Sequence, residues 1–421
     1  MIKLYYNEEI SCDCGIKSEG RAFIMGCVGI VAEYNPFHSG HKYHIDKSKE
    51  AARADSVVCV MSGNFVQRGG AAIADKWTRA KMAVVSGVDL VVELPCYFAM
   101  NAAEIFAQGA IATLDALGVA DSICFGSECG DIERLSDIAY LLNHEPDELT
   151  KTIQGKLKDG EGYPSARASA LAEICGVDAD IVNSPNNILA IEYLRSLERL
   201  GSAMKPYTIG RYKAEYHSVT PAGEIASATA MRKMIYAGDS IERYMPKSAL
   251  DVWNMAVSTG IAPVIQESFD TAVISKIRAM SNDELQNVNH MGEGLHNRIY
   301  NAAMKHCGIE SVVNESVTKR YTAARISRAV WSAYLGIESA GYPQLPSYIR
   351  VLAMNDKGKK LLAAARKKAT LPIITKLADY DVSGDRLMQL DIRSTDLYSM
   401  GYSNREKRVG GLDYTTSPIV L

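Results

Sequence analysis

Between residues 26 and 126 the chain alternates short apolar runs, rich in β-branched residues, with longer stretches in which apolar positions recur every three or four residues. The runs at 27–32, 56–61, 90–94 and 121–125 predict strands, and the stretches at about 41–54, 75–86 and 101–117 predict helices. Strands that are apolar on both faces and joined by helices make a parallel sheet covered on both sides. Helices at 165–175 and 187–200, a strand at 205–210 and a helix opening near Ser227 are predicted next. From about 241 the period is helical, broken at Pro343-Gln344-Leu345-Pro346. Residues 1–25 carry neither period and read as a disordered extension, with Met25 as an alternative start. The expectation is an α/β fold, with a Rossmann-like parallel-sheet domain at 26–240 and a mostly helical C-terminal domain at 241–421. Ligands of such sheets bind beyond the carboxyl ends of the strands, so chemistry is expected in the loops after Ala32, Met61, Leu94 and Phe125.

A net charge of −3 over 421 residues excludes a uniformly basic nucleic-acid binder. The average hides an asymmetry. Residues 316–376 hold twelve Lys and Arg against Glu338 and Asp356, a surplus of ten that leaves −13 elsewhere. Asp89, Glu93, Glu104 and Asp115 interrupt the most hydrophobic stretch, which falls short of the roughly 20 apolar residues that span a bilayer. With no secretory leader at the N-terminus either, a cytoplasmic protein without membrane contact is expected. Of nine cysteines, Cys12-x-Cys14 and the pair Cys124 and Cys129 stand close, but neither has a second pair at zinc-site spacing, so reduced thiols rather than disulfides or a zinc site are predicted, and no metal-ligating set is expected.

The sharpest chemical signal follows the first strand: Glu33-Tyr34-Asn35-Pro36-Phe37-His38-Ser39-Gly40-His41. His38 and His41 stand three apart where a loop becomes a helix, so they share a face at its N-terminus, where free amides favour an anion. Gly40 lets a phosphate approach without a side chain in the way. Two imidazoles there can donate to a nucleotide as charge builds at its α-phosphorus. An isolated H-x-G-H is as readily a helix cap plus a core residue; its place after an opening strand favours the chemical reading. About 190 residues on, Ser227-Ala228-Thr229-Ala230-Met231-Arg232-Lys233 sets hydroxyls at a helix start with Arg232 one turn later, which suits a triphosphate, though an N-cap with a basic face has the same pattern. There is no P-loop motif.

These features resemble the nucleotidyltransferase superfamily that includes the class I aminoacyl-tRNA synthetase cores, without the two-lysine phosphate loop of a standard synthetase. More narrowly, Gly29–His41, Met61–Gly69, Phe125-Gly126-Ser127-Glu128, Pro185-Asn186-Asn187-Ile188-Leu189, Ser227–Lys233, Glu293-Gly294-Leu295 and Arg325-Ile326-Ser327-Arg328 resemble the bacterial tRNA(Met) cytidine acetate ligases, over about 26–401. The resemblance implies that acetate is activated by ATP as acetyl-adenylate and passed to the wobble cytidine of elongator tRNA(Met), with Mg²⁺ accompanying ATP. It implies an ATP site at Val31, Ala32, Glu33, Tyr34, Asn35, Pro36, Phe37, His38, Ser39, Gly40, His41, Lys42, Tyr43 and His44, completed by Gly126, Asn187 and Arg211. Asn186 is an equal candidate beside Asn187, and His44 also reads as a plain helix residue.

By this reading His38 and His41 are catalytic, and Ser227, Thr229 and Arg232 hold the phosphates. Asp75, Lys76 and Arg79 are candidates for phosphate or RNA contact, and Arg68 for guiding the tRNA. The basic segment gives Arg325, Arg328, Lys359, Lys360, Lys367 and Lys368 as tRNA-binding residues, with Tyr321, Trp331, Tyr334 and Tyr348 among them as stacking platforms or else a bundle core. The alternative is a metabolic nucleotidyltransferase acting on a small phosphorylated acceptor. A non-catalytic RNA-binding protein on the same scaffold is a third reading.

Overall fold

The computed structural model describes residues 26–210 and 226–421, so the expectations for 1–25 and for Arg211 lie outside the described residues. The predicted alternation is present as β1 (Cys27–Ala32), α1 (Ser39–Ala52), β2 (Ser56–Ser62), α2 (Lys76–Val85), β3 (Leu90–Leu94), α3 (Ala103–Leu117) and β4 (Ser122–Ser127). After further helices come α4 (Pro185–Leu200), β5 (Lys205–Gly210) and α5 (Ala228–Ala237). The sheet order is β5-β4-β1-β2-β3, all parallel. From β1 the chain steps to β2 and β3 on one side, then returns to β4 and β5 on the other. The order therefore reverses between β1 and β4, which opens a crevice beyond their carboxyl ends. At the opposite edge two aspartates tie down strand starts: Asp121 Oδ2 accepts from Cys27 N–H at 2.9 Å, and Asp89 Oδ2 from Val57 N–H at 2.8 Å.

Past residue 240 the chain is not only helical. Among its helices are α6 (Ala323–Leu335), α7 (Asp356–Ala365) and α8 (Arg386–Ser399), and it also returns to the sheet. There β6 (Ile349–Met354) pairs antiparallel with β3, while β7 (Ile373–Ile374) and β8 (Ile419–Val420) flank β6. The reversal of β6 sets Leu90 opposite Met354, so α7 begins at the amino edge of the parallel strands.

Apolar cores cover both faces of the sheet, one built with α3 and α4 and the other with α1 and α2. A third core lies in the C-terminal helices around Trp331 and takes in Phe65, Ala71, Cys96 and Met100 from the loops after β2 and β3. It corrects the aromatic expectation. Trp331 and Tyr348 are wholly buried, and Tyr321 and Tyr334 nearly so, leaving none of their faces for a base. Trp331 packs against Phe65, Phe269 and Tyr334 instead. No described helix is long and apolar enough to cross a membrane.

Candidate active site

The loop after β1 is held from both sides. Tyr34 takes a left-handed backbone (φ 48°) that turns the chain, and its ring and that of Phe37 are buried 4.9 Å apart in the core beneath. Asn35 Oδ1 accepts from Ile73 N–H at 2.8 Å. Arg79, fully buried, donates to the carbonyl of Glu33 at 2.6 Å. His38 then caps α1 with an extended backbone. Its N–H donates to Nδ1 of His41 at 3.2 Å, and the two imidazoles stack with centroids 3.6 Å apart. With Nδ1 accepting, the ring proton of that tautomer lies on Nε2. The capping role and an Nε2 donor are thus compatible, since the accepting Nδ1 selects the tautomer. Ser39 Oγ donates to the carbonyl of Tyr244 at 3.0 Å, and Lys42 pairs with Asp46 at 2.6 Å on the exposed side. Of residues 31–44, Tyr34 to His38 are buried, whereas Val31 to Glu33 and Ser39 to Gly40 are half-exposed along the crevice.

Helix α5 meets this loop from across the sequence. Arg232 donates to the carbonyl of Asn35 at 2.7 Å and to Thr229 Oγ1 at 3.2 Å. Ser227 caps α5, its Oγ accepting from Ala230 N–H at 3.1 Å. The three predicted phosphate residues are therefore brought to the H-x-G-H loop. Gly126, the next-to-last residue of β4, pairs with Ile209. Asn187 is buried, and its Oδ1 accepts from Glu128 N–H and Cys129 N–H at 2.8 and 3.2 Å. The Glu128 carboxylate in turn accepts from the amide of Asn187 at 2.8 Å and from Asn186 Nδ2 at 2.6 Å. Both asparagines fasten the loop after β4 to the start of α4, on the other wall of the crevice.

Three candidates are corrected. Asp75 caps α2, accepting from Thr78 N–H at 2.8 Å. Lys76 is fully buried, with Nζ 2.9 Å from Glu93 and 2.8 Å from Asp413. Burial alone would depress its pKa, but Asp413 and Glu93 outweigh that and hold it above the ordinary lysine value. Arg79 spends its guanidinium on backbone carbonyls. None of the three faces a ligand. Arg350, counted in the basic segment, is likewise internal, 2.9 Å from Asp413 Oδ1.

The six predicted tRNA residues fall into two groups. Both Arg325 and Arg328 lie on α6; Arg328 meets the loop after β2 at the carboxyl edge, and Arg325 pairs with Glu293 at 3.1 Å. Lys359, Lys360, Lys367 and Lys368 are exposed on or just after α7, at the amino edge, where Asn355 N–H meets the carbonyl of Asp89 and Thr370 N–H that of Ala116. A strand of six residues, roughly 20 Å, separates the groups. Sequence reasoning missed Gln67, whose N–H donates to Glu33 Oε1 at 2.7 Å and so ties the loop after β2 to the loop after β1; the Met61–Gly69 motif was its only signal.

A parallel sheet reversing at β1/β4, an imidazole pair at the helix start beyond β1, and a hydroxyl–arginine helix docked on the same loop define a nucleotidyl transferase. The HIGH Nucleotidyl Transferase family model matches residues 25–411. The tRNA(Met) cytidine acetate ligase of Acetivibrio thermocellus is 41% identical over 94% of this chain and all of its own length, and that of Clostridium perfringens is 38% identical over the same shares. The crystal structure of Thermotoga maritima TmcAL bound with alpha-thio ATP is 33% identical, with a TM-score of 0.86, covering 94% of this chain and all of that one. This chain belongs to the tRNA(Met) cytidine acetate ligase family.

Proposed function

We propose that the chain is an ATP-dependent ligase that acetylates the exocyclic amine of the wobble cytidine of elongator tRNA(Met), in the cytoplasm. One observation carries the chemistry: the His38–His41 pair stacked at the start of α1, with His41 Nδ1 accepting from the His38 amide. An acetate oxygen attacks the α-phosphorus of ATP; the bond from that phosphorus to the bridging oxygen breaks and pyrophosphate leaves. The cytidine amine then adds to the acetyl carbonyl, AMP departs, and the amine gives up a proton to solvent. Nε2–H of His41 donates to an α-phosphate oxygen as its charge grows, a contribution of about 3 kcal/mol for a well-placed donor. His38 stacks on that ring and holds it. Ser227, Thr229 and Arg232 take the β- and γ-phosphates. Residues 31–44, Gly126, Asn187 and Arg211 complete the ATP site.

Mg²⁺ arrives with ATP, held by phosphates and water. Among the described residues no three His, Cys, Asp or Glu stand together as a set that would hold a resident ion. We take residues 26–240 as the ATP-binding part and the C-terminal part as the main tRNA contact. Incubation with ATP, labelled acetate and total tRNA, followed by nucleoside mass analysis, tests the reading. Label in N4-acetylcytidine is expected. Transfer of AMP to a small phosphorylated acceptor without any tRNA would favour the metabolic alternative.

A further inference from the structure

Arg328 is a mostly buried guanidinium with little to hold. Its NH1 donates to the carbonyl of Gln67 at 3.3 Å, its Nε is buried without an acceptor, and among the described residues no carboxylate stands within ion-pair reach. Burial and the neighbouring Arg325 pull its pKa down to about 10. Arg79 shows the contrast, since it is buried more deeply but matched by four carbonyls. A buried cation left so poorly matched is costly unless an anion completes it. The surroundings are cationic too: Arg325 and Arg320 share the single carboxylate of Glu293, at 3.1 and 3.5 Å, and Arg68 is exposed on the Gln67–Gly69 loop. Close packing fixes that loop on α6. A Cβ on Gly69 (φ 81°) would lie 2.4 Å from Arg328 N, and Ser327 Oγ donates to the Gly69 carbonyl at 2.8 Å. Through Gln67 the cluster is two hydrogen bonds from Glu33 in the ATP loop.

We infer that Arg328, with Arg325 and Arg320, is the clamp for the RNA backbone phosphates next to the target cytidine. This rests on the ligase reading above. A run of phosphates can neutralise several guanidiniums at once, whereas one small carboxylate would leave most of them unmatched. The position, beside the ATP loop rather than at the amino edge, is where RNA must sit for its base to reach an acyl-adenylate.

The test uses the full chain with transcribed elongator tRNA(Met), measuring the dissociation constant against salt and, separately, acetate-dependent ATP–pyrophosphate exchange without tRNA. For Arg328→Gln, roughly tenfold weaker tRNA binding and a log–log salt slope shallower by about one are expected. Arg328→Lys should keep the slope, because the charge remains. Unaltered tRNA binding and slope in Arg328→Gln would overturn the clamp. So would a rise in the acetate requirement for exchange, which would place Arg328 in the acetate site. Should Arg328→Gln fail to fold, a slope lost in Arg328→Lys overturns the clamp on its own. Absence of exchange and of acetylcytidine in the unaltered protein would instead overturn the ligase reading itself.

Discussion

Arg79→Lys separates a residue that builds the site from one that touches the ligand. The guanidinium is fully buried and serves four carbonyls: Nε donates to Ala74 at 2.8 Å, NH1 to Glu33 and Ser62 at 2.6 and 3.0 Å, and NH2 to Gly63. It thereby ties the ends of β1 and β2 to α2. A lysine ammonium is a compact group on a straight stem and can keep one or two of these bonds. Each carbonyl stripped of its partner in the interior costs about 1–3 kcal/mol. The expected loss is therefore about 3–5 kcal/mol, a large share of the roughly 5–15 kcal/mol that stabilises a typical domain. Urea unfolding followed by tryptophan emission measures it, since Trp77, Trp253 and Trp331 are all buried. Freeing the Glu33 carbonyl should also loosen the loop after β1, which the proposed function gives to ATP, so KM for ATP in pyrophosphate exchange should rise in the same variant. A stability within about 0.5 kcal/mol of the parent, the range of an ordinary surface change, would refute the role given to these four bonds. A defect in kcat alone with full stability would return Arg79 to the ligand-contacting class.

The remaining tests reach other parts of the molecule. His41→Ala should slow acetate-dependent exchange by about a hundredfold or more, the usual cost of one transition-state donor; exchange at the parent rate would remove His41 from the chemistry. His290 has its pKa pulled down to about 3 by burial and by Arg328, against the bond to the Met100 carbonyl. The unfolded chain takes up that proton near pH 6.5 and the folded one does not, so stability falls as pH drops from about 6.5 towards 3, by up to about 1.4 kcal/mol per pH unit from this group. His290→Asn, which tolerates the left-handed backbone there (φ 69°), should flatten the acid limb of the melting curve, and an unaltered slope would refute the assignment. Asp391 is pushed well above the carboxylate range by burial and by Glu93, so the folded state keeps a proton that the unfolded chain sheds above about pH 4. Its ionisation cost therefore grows with pH. Asp391→Asn can still accept from Cys96 N–H, 2.7 Å away, and face the Tyr348 hydroxyl. Its gain in Tm over the parent should widen from pH 4 to pH 8, and a constant difference would refute this.

What could be read from the sequence was what neighbouring residues decide. The strands at 27–32 and 90–94 and the H-x-G-H turn are local: an unbroken apolar run demands burial on both faces, and the helix start that follows fixes where two histidines three apart will point. Strand β6 was lost because Arg350 sits inside it and reads as a surface residue. It is internal because Glu93 and Asp413, both far away in sequence, neutralise it there. The stripe Ile326, Ala329, Val330 and Ala333 on α6 already marked a buried face, and Trp331 and Tyr334 go in with it; reading those rings as base platforms weighed the nearby charges above the period.

The basic surplus between 316 and 376 shows why charge along a chain is not charge on a surface. One of its members is in the core, and the rest are parted by a single topological fact: β6 runs against β3. Had β6 run parallel to β3, α7 would start at the carboxyl edge, on the same side of the sheet as the loop after β1. Because it runs the other way, Lys359, Lys360, Lys367 and Lys368 stand at the amino edge, while Arg328 of α6 meets the loop after β2 at the carboxyl edge. Which cations of this segment stand at the carboxyl edge is thus decided by strand direction, which no count of lysines contains. An RNA that also reached the α7 lysines would have to extend along the whole length of the sheet.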